Sequence, residues 1–430
     1  MKLIACLICL SLVWATAQAK DEVTRSFTDS TGNTDVALEN VEQKALIAEF
    51  IDRQDTGIGR DLAQLLWLEA HAAVSDQAGA GVVLAKTPKG KHLVSLLKND
   101  YHNAAVAIAE QQSARMALWG AAFENDGKVL VNSYLSLISA MESNVINYRN
   151  SRTNDKAEIE LKLSRTSFNF ALETRSRKQL FARAVIVESK SNLRSSPSIK
   201  SEVLDQISSE TLVQALNIQG KWFEVRVDGK QGYVIGSHIR VIPPSIMVDK
   251  PSINLRSKPS TLSDKTFANA RVQGQFTVID QRDSKNSKLW YQISFKDKPV
   301  WIREDLADPV YSLPVVHFMA GLHRYFGKRY DDAFKEFQRF IDYPNTNQSN
   351  VNLSVAYQYQ ALCKLFSENA GRGSDELLRM SMKLTPYDAT PYQIRALTLI
   401  GTSNSKLSIK AALEQAQMLD PRLEPFKGFE

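Results

Sequence analysis

Asn192-Leu193-Arg194-Ser195-Ser196-Pro197-Ser198 and Asn254-Leu255-Arg256-Ser257-Lys258-Pro259-Ser260 set an arginine at the same point of the same polar segment, 62 residues apart. A guanidinium fork grips carboxylates and phosphates with two parallel hydrogen bonds, so such a pair beside an aromatic ring can hold an anionic, partly apolar ligand. Tyr233 and Trp301 are the aromatics at hand, and Lys258 adds an ammonium to the second segment. Arg194, Arg256, Lys258, Tyr233 and Trp301 are therefore the candidate ligand-binding residues. The competing use of the arginines is internal, each bonding carbonyls of its own loop and bracing it. Pro197 and Pro259 fix φ and favour extended loops over strand interiors.

Other chemistry is sparse. Cys363 lies in Ala361-Leu362-Cys363-Lys364-Leu365, an apolar helical setting where a thiol packs as core. The six histidines form no His-x-x-x-His or His-Glu-x-x-His pair, so no metal site is expected. Lys86-Thr87 lacks the glycines of a P-loop, and no cofactor is expected.

The arginine segments belong to a longer internal repeat. Trp222-Phe223-Glu224-Val225 recurs as Trp290-Tyr291-Gln292-Ile293, and Gly232-Tyr233-Val234 as Val300-Trp301-Ile302, both at an offset of 68. The six extra residues of the second copy fall around Asp283–Ser287, a polar hairpin tip. Val185-Ile186-Val187, Thr211-Leu212-Val213 and Phe223–Val227 are β-branched or aromatic runs between turn residues, which reads as short strands. Asp228-Gly229 is a two-residue hairpin signal, with Lys296-Asp297-Lys298-Pro299 in its place in the second copy.

This pattern resembles the bacterial SH3-like family: an Asn-x-Arg-Ser-x-Pro-Ser loop, a Trp-aromatic strand, then a Gly-aromatic-Val strand. The resemblance implies two small β-barrels, over 181–244 and 245–309, that bind cell-wall peptide or glycan, or another protein. Trp222 and Trp290 would be core. Pro299-Val300 stands where glycine usually precedes the aromatic, so an altered second hairpin is expected.

From Val315 the apolar spacing becomes helical, with Ala320, Gly321 and Ala333 as small residues and Tyr330, Phe337 and Phe340 on one stripe. Pro344, Pro386 and Pro421 end successive helical stretches. Residues 310–430 thus resemble tetratricopeptide repeats, which implies a concave face for a peptide partner. A plain bundle packed on the barrels is the alternative. The middle repeat is the poorest, because no Ala or Gly marks its second helix. In residues 37–180, apolar stripes at Leu38–Arg53, Arg60–Ser75, Ala104–Phe123 and Val129–Tyr148 predict a helical domain of unknown type. There Leu65-Leu66-Trp67-Leu68-Glu69 distantly resembles the catalytic-acid segment of lytic transglycosylases, which implies Glu69 as a general acid. The departures are Ala70 in place of Ser and the missing Gln after the glycines; a solvated helix residue is the plainer expectation for Glu69.

Lys2, the apolar run Leu3–Ala15 and Ala17-Gln18-Ala19 read as a cleavable signal peptide over 1–19, followed by a disordered leader over 20–36. Cys6 would sit in a lipobox, but too little precedes it for insertion. Cleavage leaves one cysteine and no internal disulfide. No transmembrane segment is expected after cleavage, and the product is placed in a periplasm or outside the cell, where nucleic acid is a poor partner. The chain carries a formal charge of +6, and residues 181–309 hold 19 basic and 14 acidic residues, so the positive excess sits on the repeat. With 43% apolar and 23% charged residues, collagen-like and disordered classes are excluded.

The expectation is a multidomain α + β protein: a helical domain, two SH3-like barrels, then helical hairpins. Its role would be non-catalytic binding of peptidoglycan or an envelope protein through the barrels, with a partner scaffolded by the C-terminal helices. The competing class is a wall-cleaving enzyme using Glu69. Mass spectrometry of the exported product should find an N-terminus at Lys20; a retained Met1 or a lipid on Cys6 would contradict the export reading.

Overall fold

The computed structural model describes residues 43–74, 80–85, 101–138, 143–149, 156–162, 167–170, 173–176, 182–209, 211–219, 222–283, 289–344, 348–367, 373–402 and 406–423. The expected signal peptide and leader lie outside them. Eight α-helices and several mainly antiparallel sheets make up the described chain.

Strand β1 (Gln43–Ala48) is followed by β2 (Ile51–Asp52), helix α1 (Ile58–Val74), β3 (Ala80–Ala85), α2 (Tyr101–Gln111) and β4 (Ala114–Asn125). β1 lies between β3 and β4 and runs parallel to both. β4 turns back into β5 (Lys128–Leu137). Next, β6 (Ser143–Arg149) and β7 (Lys156–Lys162) pair with each other, and β8 (Ser167–Asn169) and β9 (Glu173–Ser176) pair with β5.

The expectation of a helical domain over 37–180 is therefore corrected. Of its four stripes, Arg60–Ser75 becomes α1, and only the first part of Ala104–Phe123 is helix. The reason lies in two-sided burial. Ala45 and Ile47 pack into the cluster that contains α1, whereas Leu46 and Ala48 pack against Ala105, Ile108 and Ala109 of α2. A strand covered on both faces is apolar throughout and loses the alternation that betrays strands. Asn125-Asp126-Gly127 does not break a helix. It turns the β4–β5 hairpin, with positive φ at Asp126 and Gly127.

The first copy of the repeat forms β10 (Ala182–Ile186), β11 (Lys190–Arg194), β12 (Val203–Ser208), β13 (Leu212–Gln219), β14 (Trp222–Val227), β15 (Lys230–Ile235) and β16 (Ile239–Ile242), in the order β12-β11-β15-β14-β13-β10-β16. The second forms β17 (Ser245–Arg256), β18 (Lys265–Thr277), β19 (Asp280–Asp283), β20 (Leu289–Phe295), β21 (Lys298–Arg303) and β22 (Asp308–Val310). Its order is β18-β17-β21-β20-β19, with β22 on β17. The sequence offset reappears as register. Trp222 pairs with Ile235 and Val227 with Lys230, as Trp290 pairs with Arg303 and Phe295 with Lys298. The second hairpin is not altered as expected: Lys296 and Asp297 take positive φ just as Asp228 and Gly229 do. The departure is absorbed one strand position later, where fully buried Val300 stands in place of Gly232.

Helices α3 (Pro314–Phe326), α4 (Tyr330–Ile341), α5 (Asn350–Phe366), α6 (Ser374–Leu384), α7 (Thr390–Thr402) and α8 (Lys406–Leu419) follow, each packed on the next. Pro344, Pro386 and Pro421 come just after α4, α6 and α8. In the middle pair serine does the work of the missing small residue. Ser354 and Ser381 are fully buried, with their hydroxyls 2.8 Å apart.

One hydrophobic cluster runs from the N-terminal sheet through α1 and the first copy into α3–α8; the core of the second copy forms another, which Val185 and Ile242 of the first copy join. Phe318 of α3 is a hub, 5.1 Å from Phe168, 5.6 Å from Phe170 and 5.0 Å from Phe340 between ring centres. Beside it lies an ionic cluster. Buried Glu336 meets His317 Nδ1 at 2.9 Å and accepts from Arg339 Nη1 at 2.5 Å, while Arg339 Nε donates to Asp308 of β22 at 2.9 Å. This ties the helices to the second copy. Burial pushes the Glu336 carboxyl up, but Arg339, His317 and Arg324 outweigh it and hold the group down from 4.5 to about 2.

A depressed carboxylate contributes stability that is complete above its unfolded pKa and is lost as pH falls through the folded one. Glu336→Gln should cost about 3 kcal/mol at neutral pH by removing the buried carboxylate on which His317 and Arg339 converge. The gap between variant and wild type should close between pH 4.5 and about 2. Chemical unfolding across that range checks it, and a pH-independent gap would contradict it.

Candidate binding surface

The two arginine loops match bond for bond. Arg194 Nη1 donates to Ser201 O at 2.7 Å, and Arg256 Nη1 donates to Ser263 O at 2.7 Å. Ser201 Oγ donates to the carbonyls of Ser196 and Ser198, as Ser263 Oγ does to those of Lys258 and Ser260. Ser195 N bonds Glu202 O and Ser257 N bonds Asp264 O, each at 3.0 Å. A proline-stiffened loop leaves carbonyls that no strand partner can satisfy, and the guanidinium and the serine hydroxyl satisfy them. Bracing is thus a use both arginines have. It occupies one N–H of a five-donor fork. Ser201 and Ser263 were missed by the sequence reading, although they stand at the same offset of 62, three residues past the quoted motif.

Each arginine sits directly across a ladder from its aromatic, Arg194 opposite Tyr233 and Arg256 opposite Trp301. From there the copies differ. In the first, Arg194, Tyr233 and Glu224 form a half-buried strip across β11, β15 and β14. Burial, then the nearby Glu224 charge, push the Tyr233 hydroxyl up, so it stays protonated and can donate at neutral pH. In the second, Trp301 is only 4% exposed, and the Arg282 guanidinium lies 5.2 Å from its ring centre, held from behind by Asp280 at 2.9 Å. The strip that is open in the first copy is covered in the second. Lys258 is exposed at the tip of its loop. Trp222 and Trp290 are buried, as expected for core residues.

Glu69 is not solvated. It is 2% exposed, and its two carboxylate oxygens accept from Ser312 N at 2.8 Å and Ser312 Oγ at 2.6 Å. Because Ser312 precedes α3, this acid joins the N-terminal layer to the C-terminal helices. Cys363 is buried, and burial, reinforced by the Asp331 charge, pushes its thiol well up, away from the thiolate. Among the described residues no cluster of three His, Cys, Asp or Glu side chains could hold a metal ion. No described helix is long and apolar enough to cross a membrane.

Residues 189–240 match the family model for the bacterial SH3 domain. The match spans the braced loop, the Trp222 strand and the Tyr233 strand. No curated protein matches the chain. Among solved structures it is similar to NlpC1 from Trichomonas vaginalis, at 14% identity and a TM-score of 0.16, over 31% of this chain and 47% of that one. It is likewise similar to NlpC2 from the same organism, at 13% identity and TM-score 0.16, over 30% and 48%. An NlpC/P60 family protein from Bacillus cereus shares 12% identity at TM-score 0.15, over 33% and 63%. The chain thus spans about half to two thirds of these proteins' lengths.

Because the bracing bonds are the same in both copies, Arg194→Ala and Arg256→Ala should each destabilise the chain, by roughly 1–3 kcal/mol for a lost charge-assisted bond and a stranded carbonyl. Denaturant unfolding of the two variants checks this. One silent variant would show that the loops are not equivalent in energy.

Proposed function

We propose that the chain is an exported, non-catalytic envelope protein that binds the cell wall, or a protein bound to it, through the Arg194–Tyr233 strip of its first SH3-like domain. The match of residues 189–240 to the bacterial SH3 domain carries this reading, since the strip lies within those residues and is open. The anionic stem peptides of peptidoglycan would meet the Arg194 fork, the Tyr233 hydroxyl and a ring face together. On this reading the second copy is a further SH3-like domain whose Arg256 braces its loop, while Trp301 under Arg282 is withdrawn from ligand. The C-terminal hairpins resemble tetratricopeptide repeats and would scaffold a peptide partner, which places the protein between the wall and another component. Glu69 supports no catalytic role in this scheme, as both of its oxygens accept from Ser312.

The chain from residue 20 onward should co-sediment with purified sacculi. Tyr233→Ala should weaken this by about tenfold, the loss of one or two polar contacts and a stacking face. Trp301→Phe should leave it unchanged. Equal binding by all three proteins, or none by the wild type, would overturn the assignment of the strip.

A further inference from the structure

The two copies also differ at the turn between their last long strands. In the first copy this corner is ion-paired: Lys230 Nζ lies 2.8 Å from Asp205 Oδ2, and the Asp228 charge acts on the same ammonium. One carboxylate pairs with the ammonium there and a second acts on it from nearby. The repeat offsets of 62 and 68 carry Asp205 to Phe267, Asp228 to Lys296 and Lys230 to Lys298. One carboxylate has become a phenyl ring, the other an ammonium, and the lysine is kept. Asp297, where the first copy has Gly229, leaves two ammoniums against one carboxylate, which reverses the sign of the corner.

The rings and the lysines are in contact. Lys296 Nζ lies 5.6 Å from the centre of the Phe295 ring and 5.9 Å from that of Phe267, and Lys298 Nζ lies 6.0 Å from Phe267. Phe267 meets Phe295 edge-on at 5.3 Å, and Phe276 lies 6.1 Å from Phe295. All three rings are half-buried and both lysines are exposed. Among the described residues neither lysine forms an ion pair. The backbone adds an independent observation. Lys296 and Asp297 sit at φ 50 and 60, in a turn that elsewhere takes Asn-Gly or Asp-Gly. A lysine held there works against the local preference, which points to a use for its side chain. Finally, β18 is the end strand of its sheet, and its Lys265–Ala270 stretch is exposed or half-buried beside these rings.

We propose that this corner of the second copy is a docking site for an extended acidic peptide that presents carboxylates and apolar side chains together on one face. The carboxylates would pair with Lys296 and Lys298, and the apolar side chains would lie on Phe267, Phe276 and Phe295 while the peptide runs along the β18 edge. Charge complementarity selects an anionic partner. The half-burial of the rings selects a peptide over a lipid surface, because membrane anchoring needs apolar groups that enter the bilayer. The site is separate from the Arg194–Tyr233 strip and stands whether or not that strip binds the wall.

The test uses the full chain from residue 20 and a short fluorescein-labelled peptide of repeating Glu-Ser-Val-Ser, which sets Glu and Val on one face of an extended chain, followed by fluorescence anisotropy at low salt. Phe267→Asp rebuilds the first copy's ion pair around Lys298 and should weaken binding by about tenfold, the scale of one lost charge-assisted contact. Lys296→Gln with Lys298→Gln changes only exposed side chains and should do the same even if Phe267→Asp proves unstable. Asp205→Ala and Tyr233→Ala should leave peptide binding unchanged, which separates this site from the wall-binding strip. Unaltered binding by Phe267→Asp and the lysine variant would overturn the proposal. So would binding to phosphatidylglycerol vesicles with none to the peptide, which would assign the patch to a membrane surface.

Discussion

Glu69 enters the interior of the protein with its two carboxylate oxygens accepting from the backbone and the hydroxyl of Ser312. It can do so because the helix that carries it, α1, is covered on nearly every side. Twelve of its seventeen residues are buried, and it packs on the N-terminal sheet, on β10, β13 and β16 of the first copy, and on α3. Trp67 Nε1 donates to Val82 O at 2.7 Å, and Arg324 Nη2 from α3 donates to Ala73 O at 2.7 Å. A helix without a wet face stabilises only the arrangement that covers it. The N-terminal sheet, the first copy and the helices are therefore held in one relation, and the open strip of the first copy is carried on a fixed support.

The second copy is attached differently. Its core is a cluster separate from the one around α1, joined by Val185 and Ile242 of the first copy, and it meets the helices through the Asp308–Arg339–Glu336 chain. Freed from packing against α1, it retains the frame of the repeat and changes its surface. The braced loops are identical in both copies because their bonds satisfy backbone carbonyls, a need that any ligand leaves unchanged. The strips and corners differ because they face outward: Arg282 covers Trp301, and Phe267 replaces Asp205. On the proposed reading, the common skeleton with two unlike surfaces would hold two unlike partners.

What could be read from the residues follows the same physics. The repeat was legible because its signal is local: turn residues, a Trp strand and an Arg-Ser-x-Pro loop at fixed offsets, which the register of β14–β15 and β20–β21 reproduces. The C-terminal helices were legible from period and proline stops. The N-terminal sheet was not, since β1 is buried on alternate faces by Ala45 and Ile47 and by Leu46 and Ala48, and so looks like any apolar stretch. The state of Trp301 and Glu69 was equally hidden. Whether a ring or an acid is covered depends on residues far off in the chain, Arg282 for one and Ser312 for the other, and no spacing rule links them.

On the proposed function, the two copies share one frame while only the open face of the first meets the wall. Hydrogen–deuterium exchange of the full chain, with and without solubilised peptidoglycan fragments, separates the two copies. Protection should rise on Lys190–Arg194 and Lys230–Ile235 and stay unchanged on Lys298–Arg303. Protection that rises equally on both copies, or only on the second, would show that the open strip of the first is not where the wall binds.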